Sequence, residues 1–178
     1  MWARIRRRGW RDILPRRDGA AAVEFALVSI PLFWMIFGLL EFGVMSMVQT
    51  SLDNAVAQTG REIRTGAAQT TGLTKTDIEN KICGRVRAIM ALTCAGNLFL
   101  DVDRYNSFAA VGNGSPLSNG QVDQGQLNYT PGGPDEIILV RAYYQWQVFT
   151  PFFGTIFANM VGGRRLIVSS MLFRNEPF

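Results

Sequence analysis

The sequence predicts an α+β protein. A long N-terminal transmembrane helix is followed by a second helix packed on a small antiparallel sheet of about three strands. Three observations carry this reading. From Ala20 to Val48 the only charged residues are Glu24 and Glu41. Residues 49–65 and 76–91 place their apolar residues at helical spacing. Three later stretches, 98–105, 137–149 and 164–173, read as strands, the clearest of them with apolar residues at every second position.

The first element starts with charge. Residues 1–19 hold seven arginines (Arg4, Arg6, Arg7, Arg8, Arg11, Arg16, Arg17) against Asp12 and Asp18, a net of +5. The whole chain is +4, so residues 20–178 come to −1. The basic character therefore belongs to the leading segment, and a nucleic-acid-binding face on the folded part is not expected. The apolar run from Ala20 to Val48 would be roughly 43 Å long as a helix. A bilayer core needs only about 20 residues. A conventional cleaved secretory signal has a shorter apolar region and a small-residue cleavage site, whereas this run reads on as helix. Arginines on the N-terminal side keep that side cytoplasmic, so the rest lies outside, which in a bacterium is the periplasm. Pro31 removes a backbone donor and clashes with the preceding turn, predicting a kink near Leu27–Pro31. Glu24 is an anomaly here, tolerable as a carboxylate at the headgroup level near a helix N-terminus.

Beyond the span the helix continues through Leu52, Ala55, Val56, Thr59 and Ile63, with Gly66 as its stop. This gives a helix over 20–66, with 20–48 in the membrane, and an α+β domain over 67–178. Thr76 and Glu79 fit a capping box that opens the second helix, whose apolar face is Ile78, Ile82, Val86 and Ile89. Cys83 and Cys94 are the only cysteines. They form either one disulfide or two separately buried thiols. Continuous helix would hold them roughly 16 Å apart, so a bridge requires the helix to end by about Met90.

On the first strand Leu98, Leu100 and Val102 face one way and Asp101 and Asp103 the other. The two carboxylates mark either a solvated face or, less simply, a calcium site. Residues 106–136 are rich in Gly, Asn, Ser, Pro and Gln and read as a long mobile loop. The second strand puts Ile138, Val140, Ala142, Tyr144, Trp146 and Val148 on one face. Between the last two strands, Phe152, Phe153, Ile156 and Phe157 make an unusually apolar connection. It is either a flap over the core or an exposed patch for a membrane or a partner.

Chemistry-bearing constellations are missing. The chain has no histidine, which removes the commonest general base and metal ligand. Two cysteines alone do not complete a zinc site. No nucleophile elbow or phosphate loop is present, and Gly112-Asn-Gly114 has no strand before it. No catalytic residue, metal or cofactor is expected.

At Gly19 and the residues after it, the sequence resembles a family. Gly19 followed by AAAVEF is similar to the processing site of type IV pilin-like proteins. The run GAAAVEFALVSIPLFWMIFGLLEFG, and the ending FRNEPF at Phe173–Phe178, resemble the TadE-like minor pilins, of the TadE/TadF type, of tight-adherence (Tad) systems. The resemblance implies a pilin-like fold and cleavage between Gly19 and Ala20 by a prepilin peptidase, which removes residues 1–19. It also implies that Glu24, fifth in the mature chain, pairs with a free N-terminal amine, its own or a neighbour's. The implied partners are inner-membrane lipid, the peptidase, other pilins and the Tad inner-membrane assembly proteins. The alternative is an unprocessed single-span membrane protein with a periplasmic partner-binding domain.

Overall fold

A computed structural model describes residues 18–90, 93–112, 114–150 and 153–178. The arginine-rich leader, apart from Asp18 and Gly19, lies outside the described residues. Helix α1 runs from Asp18 to Arg64, 47 residues, and remains helical through Pro31. The chain divides into two compact units, the first ending at Leu39 and the second covering Leu40–Phe178.

In the first unit the described helix is apolar all round and its large side chains are exposed, Val23, Phe25, Leu27, Ile30, Phe33 and Leu39 among them. A helix without a polar face is a lipid-facing helix or a core helix, and this one has no core of its own.

In the second unit the rest of α1 behaves differently. Met45, Val48, Leu52, Ala55, Val56, Thr59 and Ile63 are buried, at the three- and four-residue spacing that gathers one helical face. After the short helix α2 (Ala67–Thr70), Ile78, Ile82 and Val86 supply the matching face of α3 (Lys75–Met90). The side chain of Ile89 lies outside the described residues. Both faces meet Leu100 and Val102 of β1 (Leu98–Tyr105), Ile138, Val140 and Ala142 of β4 (Ile137–Gln147), and Ile167 and Phe173 of β5 (Arg164–Arg174) in a single core. The sheet is antiparallel in the order β1-β4-β5, with Val102 opposite Val140 and Val140 opposite Met171. Gln49 on α1 reaches the sheet by donating to the carbonyl of Val168, 119 residues later.

The cap of α3 corrects the sequence reading. Thr74, not Thr76, is the capping residue: its hydroxyl accepts from the amide of Asp77, and Asp77 accepts from the amide and hydroxyl of Thr74. This is a capping box two residues earlier, with Asp replacing Glu. Glu79 faces away from that cap and accepts from the amide of Leu100 at 3.2 Å. The pattern Thr-x-x-acid occurs twice in TKTDIE, and the helix uses the first.

Residues 106–136 hold local structure. Strands β2 (Leu117–Ser118) and β3 (Gln121–Val122) form a hairpin. Asn119 and Gly120 at its tip have φ of 50° and 73°, the left-handed pair that a two-residue hairpin turn requires and that Asn-Gly supplies. Leu117, Val122 and Leu127 then pack on Tyr143, Met160 and Leu166, so the face of β4 turned away from the helices is also covered. Residues 128–130 run beside β1, the amide of Val102 donating to Asn128 and that of Thr130 to Val102, which closes an edge that would otherwise be bare.

The C-terminal segment returns to the end of α1. The amide of Glu176 donates to the carbonyl of Arg64, and the Glu176 carboxylate pairs with the Arg64 guanidinium at 2.9 Å. Gly66 follows with φ of 77° and lies so close under the Phe178 ring that a Cβ would overlap it. Only glycine meets both conditions without strain.

Candidate functional site

Gly19 and Ala20 lie in the first turn of α1 and are exposed, with open space where a Gly19 side chain would be. Glu24 is exposed one turn further on. Residues four apart on a helix lie on one face, so the carboxylate and the Ala20 backbone share a side.

The second acidic residue of the apolar run occupies another setting. Glu41 is 5% exposed and collects donors from the end of β4 and the segment after it. The Trp146 indole N–H donates to Oε1 at 3.0 Å. The Phe149 amide donates at 3.2 Å, the Thr150 amide at 3.1 Å and the Thr150 hydroxyl at 2.9 Å, all to Oε2. All these donors are neutral. A carboxylate offers about four acceptor positions, and here they are filled by groups that hold a charge out of water without a cation. The sequence shows Glu41 only as one of two charges in the run. Its partners lie more than a hundred residues away, and no local pattern announces them.

Cys83 and Cys94 are joined, with Cα atoms 5.9 Å apart. The bridge ties α3 to the turn before β1, where Gly96 has φ of 70°. A second tie joins α3 to α1: Glu62 takes an ion pair from Lys81 and another from Arg85 at 3.0 Å, and Arg85 also donates to the hydroxyl of Thr59. Burial pushes the Glu62 carboxyl up, but the two cations outweigh it and hold it below its ordinary value. Glu79 is shifted the other way, raised by burial that outweighs a backbone bond from Leu100 and the Lys75 charge.

Asp101 and Asp103 are neither a solvated pair nor a calcium site. Asp101 is 2% exposed and takes two guanidinium bonds from Arg141, at 3.0 and 2.7 Å. Asp103 takes a third at 3.2 Å. Asp101 lies directly opposite Arg141 in the β1–β4 register, and this cross-strand partner could not be paired with it before that register was known. Tyr143, on the same face, is pushed up to about 12 by burial, despite the nearby Arg141 guanidinium. Among the described residues no group of His, Cys, Asp and Glu is arranged to hold a metal ion.

The apolar connection after β4 divides between the two readings. Phe153 is buried and stacks on Phe157 with ring centres 5.3 Å apart, at the start and end of the short helix α4 (Gly154–Phe157). Ile156 is exposed. Phe152 lies outside the described residues. Phe149, just before this connection, is exposed although its ring meets Trp146 edge-on at 5.0 Å.

One helix long and apolar enough to cross a bilayer, continuing into a small α+β unit, is compatible with a single-pass membrane protein. Residues 19–61 match the family model described as TadE-like protein. The match begins at Gly19, includes Glu24 and Glu41, and stops near the end of α1. No curated protein and no solved structure matches the chain.

Proposed function

We propose that the protein is a minor pilin or pseudopilin, processed by a prepilin peptidase, that supports assembly or anchoring of a Tad-type adhesive pilus. The observation that carries this reading is the TadE-like match from Gly19 to Arg61. It starts at the glycine behind which the peptidase would cut and holds a glutamate fifth in the resulting chain. Cleavage between Gly19 and Ala20 leaves a positive amine where the arginine leader had been. Glu24 offsets that charge, or a neighbouring subunit's, and so lowers the cost of both in an apolar helix bundle. The N-terminus is cytoplasmic and the second unit periplasmic, in the inner membrane or in the fibre built from it. Other pilins and the Tad inner-membrane proteins are the partners, and the role is structural, with no catalytic centre.

Mass spectrometry of the chain expressed with a prepilin peptidase tests this directly. The expected product begins at Ala20, and Gly19→Trp leaves the longer, slower-migrating form. Glu24→Ala inserts in the membrane normally but makes fewer pili. An uncut wild-type chain sinks the pilin reading and leaves a single-span membrane protein with a partner-binding domain.

A further inference from the structure

The end of the second unit that holds Glu41 carries surface features that pilus assembly does not explain. Phe149 is 68% exposed and Ile156 58%. Glu41 fixes the first of these by its bond from the Phe149 amide, and the next residue by two more. Phe157, beside Ile156, shares a cleft with Phe42, itself exposed. Large apolar side chains from two distant parts of the sequence thus gather around residues 41–42. In water such a cluster is unfavourable, and it marks a surface made for something apolar.

Apart from the Glu41 carboxylate, which is enclosed by neutral donors, the charge that the later segment brings beside it has one sign. From Ile137 to Asn175 the chain holds Arg141, Arg164, Arg165 and Arg174 and no aspartate or glutamate. Arg141 is committed to Asp101 and Asp103, and Arg174 lies at the opposite end of β5. Arg165, which lines the cleft with Phe42 and Phe157, and Arg164, which donates to Gln145 and Gln147 and lines a cleft with Phe149, remain on the rim. Both are exposed, and Arg165 donates to the Phe157 carbonyl at 2.9 Å, which holds its guanidinium next to the apolar cluster. A span of about 20 residues beginning at Ala20 ends at about Leu39, two positions before Glu41. Met45 and Val48 are already in the domain core, so they do not face lipid.

We propose that Phe149, Ile156 and Phe42, with Arg164 and Arg165, form a lipid-contact collar that seats the second unit on a bilayer surface containing anionic phospholipid. The proposal rests on the reading of the apolar run as membrane-spanning. Apolar rings enter the boundary between headgroups and acyl chains, while the guanidinium forks bind headgroup phosphates. Glu41 is a positioning residue in this arrangement. It holds the 149–150 segment beside the point in the sequence where the apolar run ends, and so sets which side of the domain meets the bilayer. The candidate patch is redefined accordingly: Phe153 belongs to the core, and Phe149 takes its place on the surface.

Photo-crosslinking of the full chain in bacterial membranes tests the collar. p-Benzoylphenylalanine is placed at position 149 or 156, at 33 as a marker of the span, and at 108 as an exposed aromatic position elsewhere on the domain. Lipid adducts are expected at 33, 149 and 156 but not at 108. Replacing Arg164→Gln and Arg165→Gln lowers the adduct yield at 156 by about fivefold per arginine and leaves the yield at 33 unchanged. Adducts at 33 without adducts at 149 and 156 overturn the collar while the span stands. Adducts to a protein at 149 or 156 overturn it in favour of a protein partner. Absence of lipid at 33 overturns the span and the collar together.

Discussion

Helix α1 puts two solvents on one element. Up to Leu39 it shows large exposed apolar side chains on every side. From Met45 to Ile63 it buries one face almost completely and carries Gln49, Asp53, Gln58 and Arg61 outside that face. Both halves are continuous helix, so backbone geometry does not distinguish them. The distribution of apolar residues around the axis does. The first half has no polar side, as a helix compatible with a bilayer span needs none; the second has one because water covers what the sheet leaves. Glu41 stands at the change, in a pocket of neutral donors, where neither lipid nor water solvates it.

The largest effect should come from truncating the packed half. Leu52→Ala removes a fully buried side chain, and about 2–5 kcal/mol of stability should go with it. Leu27→Ala, in the exposed half, should leave the unfolding of the second unit unchanged. Denaturant titration in detergent, followed by near-ultraviolet circular dichroism, measures both. Equal losses would mean that the two halves are not energetically separate.

Next comes Glu41→Gln. The amide keeps the size but turns a donor toward groups that already donate, and about 2–3 kcal/mol should be lost. Because Trp146 supplies one of the bonds, its near-ultraviolet signal should change as well. A silent substitution would show that Glu41 marks the boundary without holding it.

The smallest effect separates two carboxylates of the second unit by pH. Glu62 is held below its ordinary 4.5. Its contribution is therefore fully present above 4.5 and is lost as pH falls through the lower folded value. Glu79 is raised above 4.5, so its contribution runs oppositely and is lost as pH rises through its folded value. Unfolding midpoints between about pH 3 and 7 should show a weaker acid-side loss in Glu62→Gln and a steeper one in Glu79→Gln. Parallel curves for the two variants would break the distinction.

The sequence exposed what is local and periodic. The buried faces at Leu52–Ile63 and Ile78–Val86, the strand from Leu98 to Tyr105 and the TadE-like segment that begins at Gly19 all depend on neighbours within a few turns or pleats. The loop reading of residues 106–136 passed over the Asn119-Gly120 hairpin, because its flanking strands are two residues each, too short to show alternation. What stayed hidden is held by distant partners. Asp101 appeared to be a solvated acid because Arg141 reaches it only through strand register. Glu41 appeared to be a second tolerated charge because its donors arrive from Trp146, Phe149 and Thr150. Thr76 resembled a cap because Thr74 offers the same chemistry two residues earlier.

The bond from Gln49 to Val168 has a consequence in time. A ribosome delivers those two residues 119 positions apart, roughly 6–24 s at ordinary synthesis rates. The apolar run can enter a bilayer as soon as it emerges. The face of α1 behind it has no sheet to meet until β4 and β5 have been made, and it spends that interval uncovered. The apolar run is thus complete well before the domain exists, and whatever shelters Val48, Leu52 and Val56 meanwhile governs how much of the second unit folds.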